Sequence, residues 1–163
     1  MLDPIDFGSA RSIVEFGPGT GAFTREIAKR LAPGCRYLGI ELNARFAAEL
    51  ARALPSLTVV HGSVVDLPRI LAAQGIPLVD AIVCGLPWAT LPISLQQTVF
   101  AAMDEALVPG GVFVTFGYLQ SLALPAAWAL RGRLRHNFAR VTQTPIVWRN
   151  VPPAFAYICR KRG

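Results

Sequence analysis

Ser12-Ile13-Val14-Glu15-Phe16-Gly17-Pro18-Gly19-Thr20-Gly21-Ala22-Phe23-Thr24 is the stretch that decides the fold. Ile13, Val14 and Phe16 make a short apolar run of the kind that forms a buried strand. Gly17, Gly19 and Gly21 then let the backbone turn sharply and approach a ligand with no Cβ in the way. Phe23, Ile27 and Leu31 follow at helical spacing, so a helix begins directly after the turn. A ligand in such a corner meets free backbone N–H groups at a helix start.

The spacing G-x-G-x-G differs from the G-x-G-x-x-G of dinucleotide-binding folds. Glu15 stands two residues before the first glycine, and Glu41 closes the next strand-like run, Arg36 to Ile40. Glu41 falls about twenty residues after the turn, where nucleotide-binding α/β folds place a ribose-binding carboxylate.

Outward from there, strand and helix alternate, the pattern of a parallel α/β sheet. Asn43 is an expected N-cap for a helix with Phe46, Leu50 and Leu54 on its apolar face, stopped by Pro55. Leu57 to His61 reads as the third strand, with His61 as its end, and Val79 to Cys84 as the fourth. Gly85-Leu86-Pro87-Trp88 follows the fourth strand, where chemistry collects in an open α/β sheet. Ser94 and Gln97 form an expected capping box for a helix with Leu95, Val99, Met103 and Leu107 along one face. Val108-Pro109-Gly110-Gly111 reads as a turn, and Val112 to Phe116 as the fifth strand, ending in Gly117-Tyr118. Leu122 to Phe138 is apolar first and basic later; a crossover helix with a basic exposed end is favoured over a segment lying in a membrane interface. His136 belongs to that basic end. Val141 to Trp148 and Ala154 to Arg160 read as a closing antiparallel pair around the turn Asn150-Val151-Pro152-Pro153.

With 163 residues the chain is expected to form a single domain over residues 1–163 with a proper core. Its opening, Met-Leu-Asp-Pro-Ile-Asp, has no basic segment followed by an apolar one, so no secretory signal is expected. The windows Ala81–Met103 and Ala106–Leu130 lack charge, but Pro and Gly interrupt both, which fits buried strands and apolar helices better than membrane spans. Cys35, Cys84 and Cys159 have no metal-like spacing, so no metal is expected, and their odd number points to reduced thiols in the cytoplasm. The last acids are Asp104 and Glu105; beyond them stand eight Lys or Arg residues and no acid. Such a field favours anionic lipid headgroups, nucleic acid or an acidic small substrate.

Val14-Glu15-Phe16-Gly17-Pro18-Gly19-Thr20-Gly21 with Gly39-Ile40-Glu41 resembles the first two motifs of the class I S-adenosylmethionine-dependent methyltransferases. The resemblance implies a Rossmann-like, seven-stranded, mostly parallel sheet with an antiparallel C-terminal hairpin, and S-adenosyl-L-methionine as cofactor. It implies that Glu15, Gly17, Pro18, Gly19, Thr20 and Gly21 wrap the methionine part and that Glu41, with Leu42, takes the ribose. Gly62 to Leu67 resembles the third motif, which brackets adenine and so brings in Ser63 and Val64; Cys84, at the end of the fourth strand, is counted with the cofactor-binding residues too. The acid usual at position 63 is a serine here; Asp66 either substitutes for it or caps the helix that follows.

Enzymes that methylate an adenine amine carry a related loop of Asn or Asp, an apolar residue or Pro, Pro, then an aromatic. Gly85 stands where that side-chain acceptor belongs, and a lost hydrogen bond in a buried site costs about 1–3 kcal/mol. The loop instead is similar to that of the bacterial phospholipid N-methyltransferases, which act on phosphatidylethanolamine. Gly110 to Phe113, Phe116 to Tyr118 and Val147 to Ala154 extend the likeness. Two features depart from that group: Cys84 replaces its usual Ser, and residues 1–11 leave little room for its leading amphipathic segment, so that cover is expected to be missing or replaced.

The resemblance thus implies methyl transfer to the amine of a phospholipid, with Gly85, Leu86, Pro87, Trp88 and Tyr118 at the reacting centre. Trp88 and Tyr118 are then either cation–π partners for a methylated ammonium or, respectively, a core aromatic and a strand end. The expected partners are an amine-bearing phospholipid or anionic membrane surface, at the inner membrane face. An RNA adenine methyltransferase, or a cofactor-binding module that needs a partner, stays open. The number of methyl groups and the oligomeric state are not encoded in any motif.

Overall fold

A computed structural model describes residues 2–163. Its strands are β1 (Ser12–Phe16), β2 (Arg36–Glu41), β3 (Thr58–His61), β4 (Val79–Cys84), β5 (Leu107–Tyr118), β6 (Arg140–Gln143) and β7 (Ala154–Arg160). Its α-helices are α1 (Ala22–Arg30), α2 (Ala44–Ala53), α3 (Leu67–Ala73), α4 (Ile93–Ala106) and α5 (Pro125–Asn137). The strands form one sheet in the order β3-β2-β1-β4-β5-β7-β6. All neighbours run parallel until β7, which pairs antiparallel with both β5 and β6. The order turns back on itself between β1 and β4, so a crevice opens beyond their carboxyl ends.

Side-chain alternation along the strands sends apolar residues to both faces. Val14, Phe16, Ile82 and Phe113 lie in one cluster, covered by α3, α4 and α5 through residues such as Leu71, Met103 and Leu134. Ile13, Val83 and Val114 lie in the other, covered by Ile27 of α1 and by Leu2 and Ile5 of the leading segment. Full burial of such a side chain stabilises the fold by about 1.5–3 kcal/mol. The start of β1 is tied down by Asp80, whose Oδ2 accepts from the Arg11 and Ser12 N–H groups at 2.9 Å each.

Several expected boundaries are corrected. Asn43 caps α2 as expected, its Oδ1 accepting from Arg45 and Phe46 N–H. Ser94 does not cap α4: the helix begins at Ile93 behind Pro92, which has no side-chain cap bond. Gln96 rather than Gln97 carries the interaction there, because its amide lies buried and ties down the preceding turn. Residues 108–111 are not a separate turn; they ride within β5, which pairs Leu107 with Val79 before a register shift restores the ladder at Val112. The penultimate strand stops at Gln143; beyond it Thr144 N–H donates to Ala156 O at 2.9 Å and Val147 forms an isolated bridge to Ala154. Within the 122–138 segment α5 is the crossover helix, with Leu130 and Leu134 buried. Asp66 makes no side-chain cap bond; it pairs with Arg69 at 3.5 Å.

Candidate active site

Three loops converge at the carboxyl ends of β1, β2 and β4. The first follows β1. Gly17, Gly19 and Gly21 all hold positive φ (64°, 55° and 83°), a conformation that side-chain-bearing residues rarely adopt. Gly17 N–H still extends the ladder, donating to Ile40 O at 2.9 Å. Pro18 packs its ring against Gly39 of the neighbouring strand, and Gly21 gives way to Leu50 of α2.

Glu41 closes the corner from β2. Its Oε2 accepts from Gly19 N–H at 2.8 Å and its Oε1 from Asn43 N–H at 2.8 Å. The carboxylate thus joins the glycine corner to the start of α2 while one edge of it lines a cleft. That cleft, about 100 Å³, is walled by Gly17, Leu42, Ser63, Val64 and Leu86 and closed by Leu95 and Val99 of α4. Ser63 Oγ accepts from Val65 N–H at 3.4 Å, which leaves its own O–H free to turn.

Glu15 lies beneath the corner, not in it. It is 1% exposed, and its Oε2 accepts from Thr24 Oγ1 at 2.8 Å and Tyr37 OH at 2.7 Å. Burial pushes its carboxyl above the usual carboxylate range, against the pull of those two hydroxyls. Its place is structural: it ties α1 and β2 to the strand that leads into the corner. Cys84 is corrected likewise. It is fully buried in the core, its thiol pushed up to about 12 by desolvation, and it reaches none of the clefts described. Thr20 is exposed, and its carbonyl accepts from Arg25.

The third loop is Gly85 to Trp88. Gly85 N–H donates to Phe16 O at 2.8 Å, which draws the loop against the end of β1. A Cβ at this position would stand 2.7 Å from Gly17 O and 3.3 Å from Phe16 O, both backbone atoms. Position 85 therefore has no space for the side-chain acceptor of an adenine-methylating loop. Pro87 O accepts from Thr90 N–H and Oγ1, and Leu86 O from Trp88 N–H. Among the described residues Gly85 O has no donor, unlike Leu86 O and Pro87 O.

Leu86 lines the cleft beside Glu41 and also a second, apolar pocket of about 240 Å³. Pro87, Phe116, Tyr118, Leu130, Phe155 and Tyr157 share that pocket's wall. Trp88 borders it too, yet is 3% exposed: it stacks on Phe100 at 5.1 Å and its Nε1–H donates to Thr115 Oγ1 at 3.0 Å. Its ring is thus committed to the core, which corrects the cation–π alternative. Tyr118, 38% exposed, sits edge-on to Phe116 and keeps a ring face available.

Sequence reading missed three residues here. Gln96 Nε2 donates to Trp88 O at 3.0 Å and Leu91 O at 2.8 Å, and its Oε1 accepts from Arg133 at 2.6 Å. The signal was a glutamine on the stripe of Val99, Phe100 and Met103. Thr115 holds the Trp88 indole and the Cys84 carbonyl. Tyr157 borders the apolar pocket yet is 3% exposed, and its buried hydroxyl has no hydrogen-bond partner among the described residues. No spacing in the sequence marks either of these.

Residues 14–113 match the family described as Methyltransferase domain. The chain is 37% identical to the ornithine lipid N-methyltransferase of Singulisphaera acidiphila over 159 residues, which cover 96% of this chain and 79% of that protein. The chain belongs to the class I S-adenosylmethionine-dependent methyltransferases. It is also 33% identical to the ribosomal RNA small subunit methyltransferase A of Geobacter metallireducens, over 64% of this chain and 37% of that one. The N-methyltransferase NodS of Bradyrhizobium japonicum, solved with S-adenosyl-L-homocysteine, superposes with a TM-score of 0.73 over 99% of this chain and 82% of that one. At 16% identity that likeness speaks for the fold alone.

The residues present in this methyltransferase fit its cofactor. The glycine corner is a cradle that side chains would fill, Glu41 offers a carboxylate for a ribose diol, and Leu42, Val64 and Leu95 offer apolar walls for a base. Gly17, Gly19, Glu41, Leu42, Ser63 and Val64 would hold it; Glu15 and Cys84 support from behind.

Proposed function

We propose that this methyltransferase transfers a methyl group to the amine of a membrane lipid. The observation that carries the reading is the apolar pocket beside Gly85-Leu86-Pro87-Trp88, joined to the cofactor cleft across Leu86, with no side-chain acceptor possible at position 85. A purine amine would find one carbonyl there and lack the second acceptor that its loop normally supplies. The similarity to an ornithine lipid N-methyltransferase over 96% of the chain supports the same class of acceptor. Phosphatidylethanolamine and an ornithine lipid both present a primary amine beside an acyl-rich body, and both fit this pocket's chemistry. The basic C-terminal third supports work at an anionic inner membrane face. No helix of the described residues is long and apolar enough to cross a membrane.

When bound, S-adenosylmethionine supplies a sulfonium methyl to an attacking amine. The protein's own part is positioning in a water-poor cleft. Leu86 separates donor and acceptor spaces by a single side chain. Gly85 O accepts a hydrogen bond from the acceptor's N–H and so points the nitrogen lone pair across Leu86. As positive charge builds on nitrogen, that carbonyl dipole and the open face of Tyr118 stabilise it.

Incubation of the chain with labelled cofactor tests the reading. The panel is vesicles containing phosphatidylethanolamine or an ornithine lipid, ribosomal RNA, and small amines. Label is expected on a lipid amine. Label on RNA alone overturns the reading, and label on nothing favours a cofactor-binding module that needs a partner.

A further inference from the structure

We infer that the rim of the apolar pocket is a membrane-docking surface, and that the protein sits on an anionic bilayer through Trp128 of α5 and Trp148 of the β6–β7 connection. The inference rests on the lipid-acceptor reading and adds to it the face and the orientation.

Exposed large apolar side chains are not spread evenly. Among the described residues there are nine, and six of them lie between Tyr118 and Val151. Both exposed tryptophans are in that set, Trp128 at 71% and Trp148 at 68% exposure. Scattered exposed Leu or Val residues are ordinary, but a cluster rimmed by cationic side chains marks an interaction site.

The cluster has order. Leu124, Trp128, Arg131 and Arg135 are spaced to form one exposed stripe along α5, while Leu130 and Leu134 point to the core. Trp128 Nε1–H donates to Leu122 O at 2.7 Å, which pins the indole while leaving its faces to solvent. The β6–β7 connection is held as well: Val147 N–H donates to Ala154 O at 2.8 Å and Asn150 N–H to Val147 O at 3.2 Å. Val147, Trp148 and Val151 therefore project from a fixed turn. Tyr118 joins the two parts. It lines the apolar pocket with Leu124, and it lines a second cleft, on the other side of β5, with Val147. Two of the six, Tyr118 and Leu124, thus line the acceptor pocket itself, Trp128 follows Ala126 and Ala127 of its wall, and Trp148 follows Val147 of the neighbouring cleft.

Charge selects the occupant. Arg131, Arg135 and Arg149 are exposed and, among the described residues, none has a carboxylate partner. No acid follows Glu105 in the chain. A second copy meeting this face across a two-fold axis would bring like charges together. An RNA would gain from the arginines but nothing from Leu124, Val147 and Val151. An anionic bilayer uses both: tryptophan rings seat at the headgroup level, short apolar side chains reach the acyl boundary, and arginines meet lipid phosphates. In that pose the acceptor pocket opens onto the bilayer, and a headgroup enters it with its acyl chains still in the membrane.

The test uses the full chain and vesicles of phosphatidylcholine with and without phosphatidylglycerol. Trp88 stays buried, so a blue shift of emission, and quenching by lipids brominated in the upper acyl chain, report Trp128 and Trp148. Both are expected with anionic vesicles. Co-sedimentation is expected to weaken at least about tenfold in the Trp128→Ala/Trp148→Ala chain, and about tenfold or more in Arg131→Glu/Arg135→Glu. Leu78→Ala, an exposed position beside the opposite end of β4, is expected to bind as the parent does. Unchanged co-sedimentation in both double variants, or sedimentation with no quenching, overturns the inference. So does a dimer that the tryptophan variant dissociates without any vesicle binding. Quenching through this rim with no lipid methylated defeats the acceptor reading and leaves the surface standing. Lipid methylated in detergent micelles, with neither tryptophan quenched in vesicles, does the reverse.

Discussion

Replacing Gly85 with alanine introduces one methyl group into the tightest backbone contact of the site. The new Cβ would lie 2.7 Å from Gly17 O, well inside the 3.4 Å at which ordinary contact begins, and 3.3 Å from Phe16 O. Neither neighbour is a flexible side chain that can swing away. Relief requires the β4 loop and the glycine corner to separate, which stretches the 2.8 Å bond from Gly85 N–H to Phe16 O. Inserting a methyl into packed backbone costs about 1–3 kcal/mol, and each kcal/mol lowers the melting temperature of a domain this size by about 2–4 °C. Gly75→Ala is the control. It holds a positive φ of 62° with nothing within 4 Å, so its cost is backbone strain of about 1 kcal/mol far from the site. Melting curves are expected to show both variants destabilised. Cofactor affinity separates them: Gly85→Ala displaces Gly17, and S-adenosylhomocysteine is expected to bind at least about tenfold more weakly, which is about 1.4 kcal/mol. Gly75→Ala leaves that affinity unchanged. A Gly85→Ala chain that melts and binds like the parent would refute the argument that this contact shapes both the loop and the corner.

Tyr157→Phe removes a buried hydroxyl that has no hydrogen-bond partner among the described residues, so the melting temperature is expected to stay level or rise slightly; a fall of several degrees would show that the hydroxyl is satisfied in the folded chain. Glu15 has a carboxyl raised by burial, so the folded state binds a proton more readily than the unfolded one, whose value is near 4.5. Stability therefore falls as pH rises from about 4.5 through the folded value, and Glu15→Gln is expected to flatten that part of a melting-temperature profile. Thiol titration of the native chain is expected to modify only Cys35, which is partly exposed, because burial pushes Cys84 and Cys159 up to about 12; all three react after unfolding.

The sheet was legible because parallel strands buried on two faces leave nearly continuous apolar runs, as at Ile13–Phe16 and Ala81–Cys84. The corner was legible because glycine is almost alone in tolerating its φ values, and Glu41 because a carboxylate must end the strand beside it. What escaped depends on tertiary partners. Ser94 and Gln97 have the letters of a capping box, but Pro92 and the buried Gln96 amide set the helix start. Val108 to Gly111 read as a turn, and Leu107 as the end of a helix face, because local glycine and proline signals carry no knowledge of Val79 waiting across the sheet to pair with Leu107. Trp88 and Cys84 sit beside the reacting loop in sequence, yet their side chains turn into the core, against Phe100 and Thr115. The unpaired Tyr157 hydroxyl becomes visible only once every neighbour has been placed.

Isothermal titration of S-adenosylhomocysteine into the parent chain and into Glu41→Ala tests the central claim most directly. Binding to the parent is expected, with a loss of at least about tenfold in the variant, since the carboxylate that meets Gly19 N–H is also the one left to take a ribose diol. No heat with the parent, or equal affinity in both chains, would contradict the account.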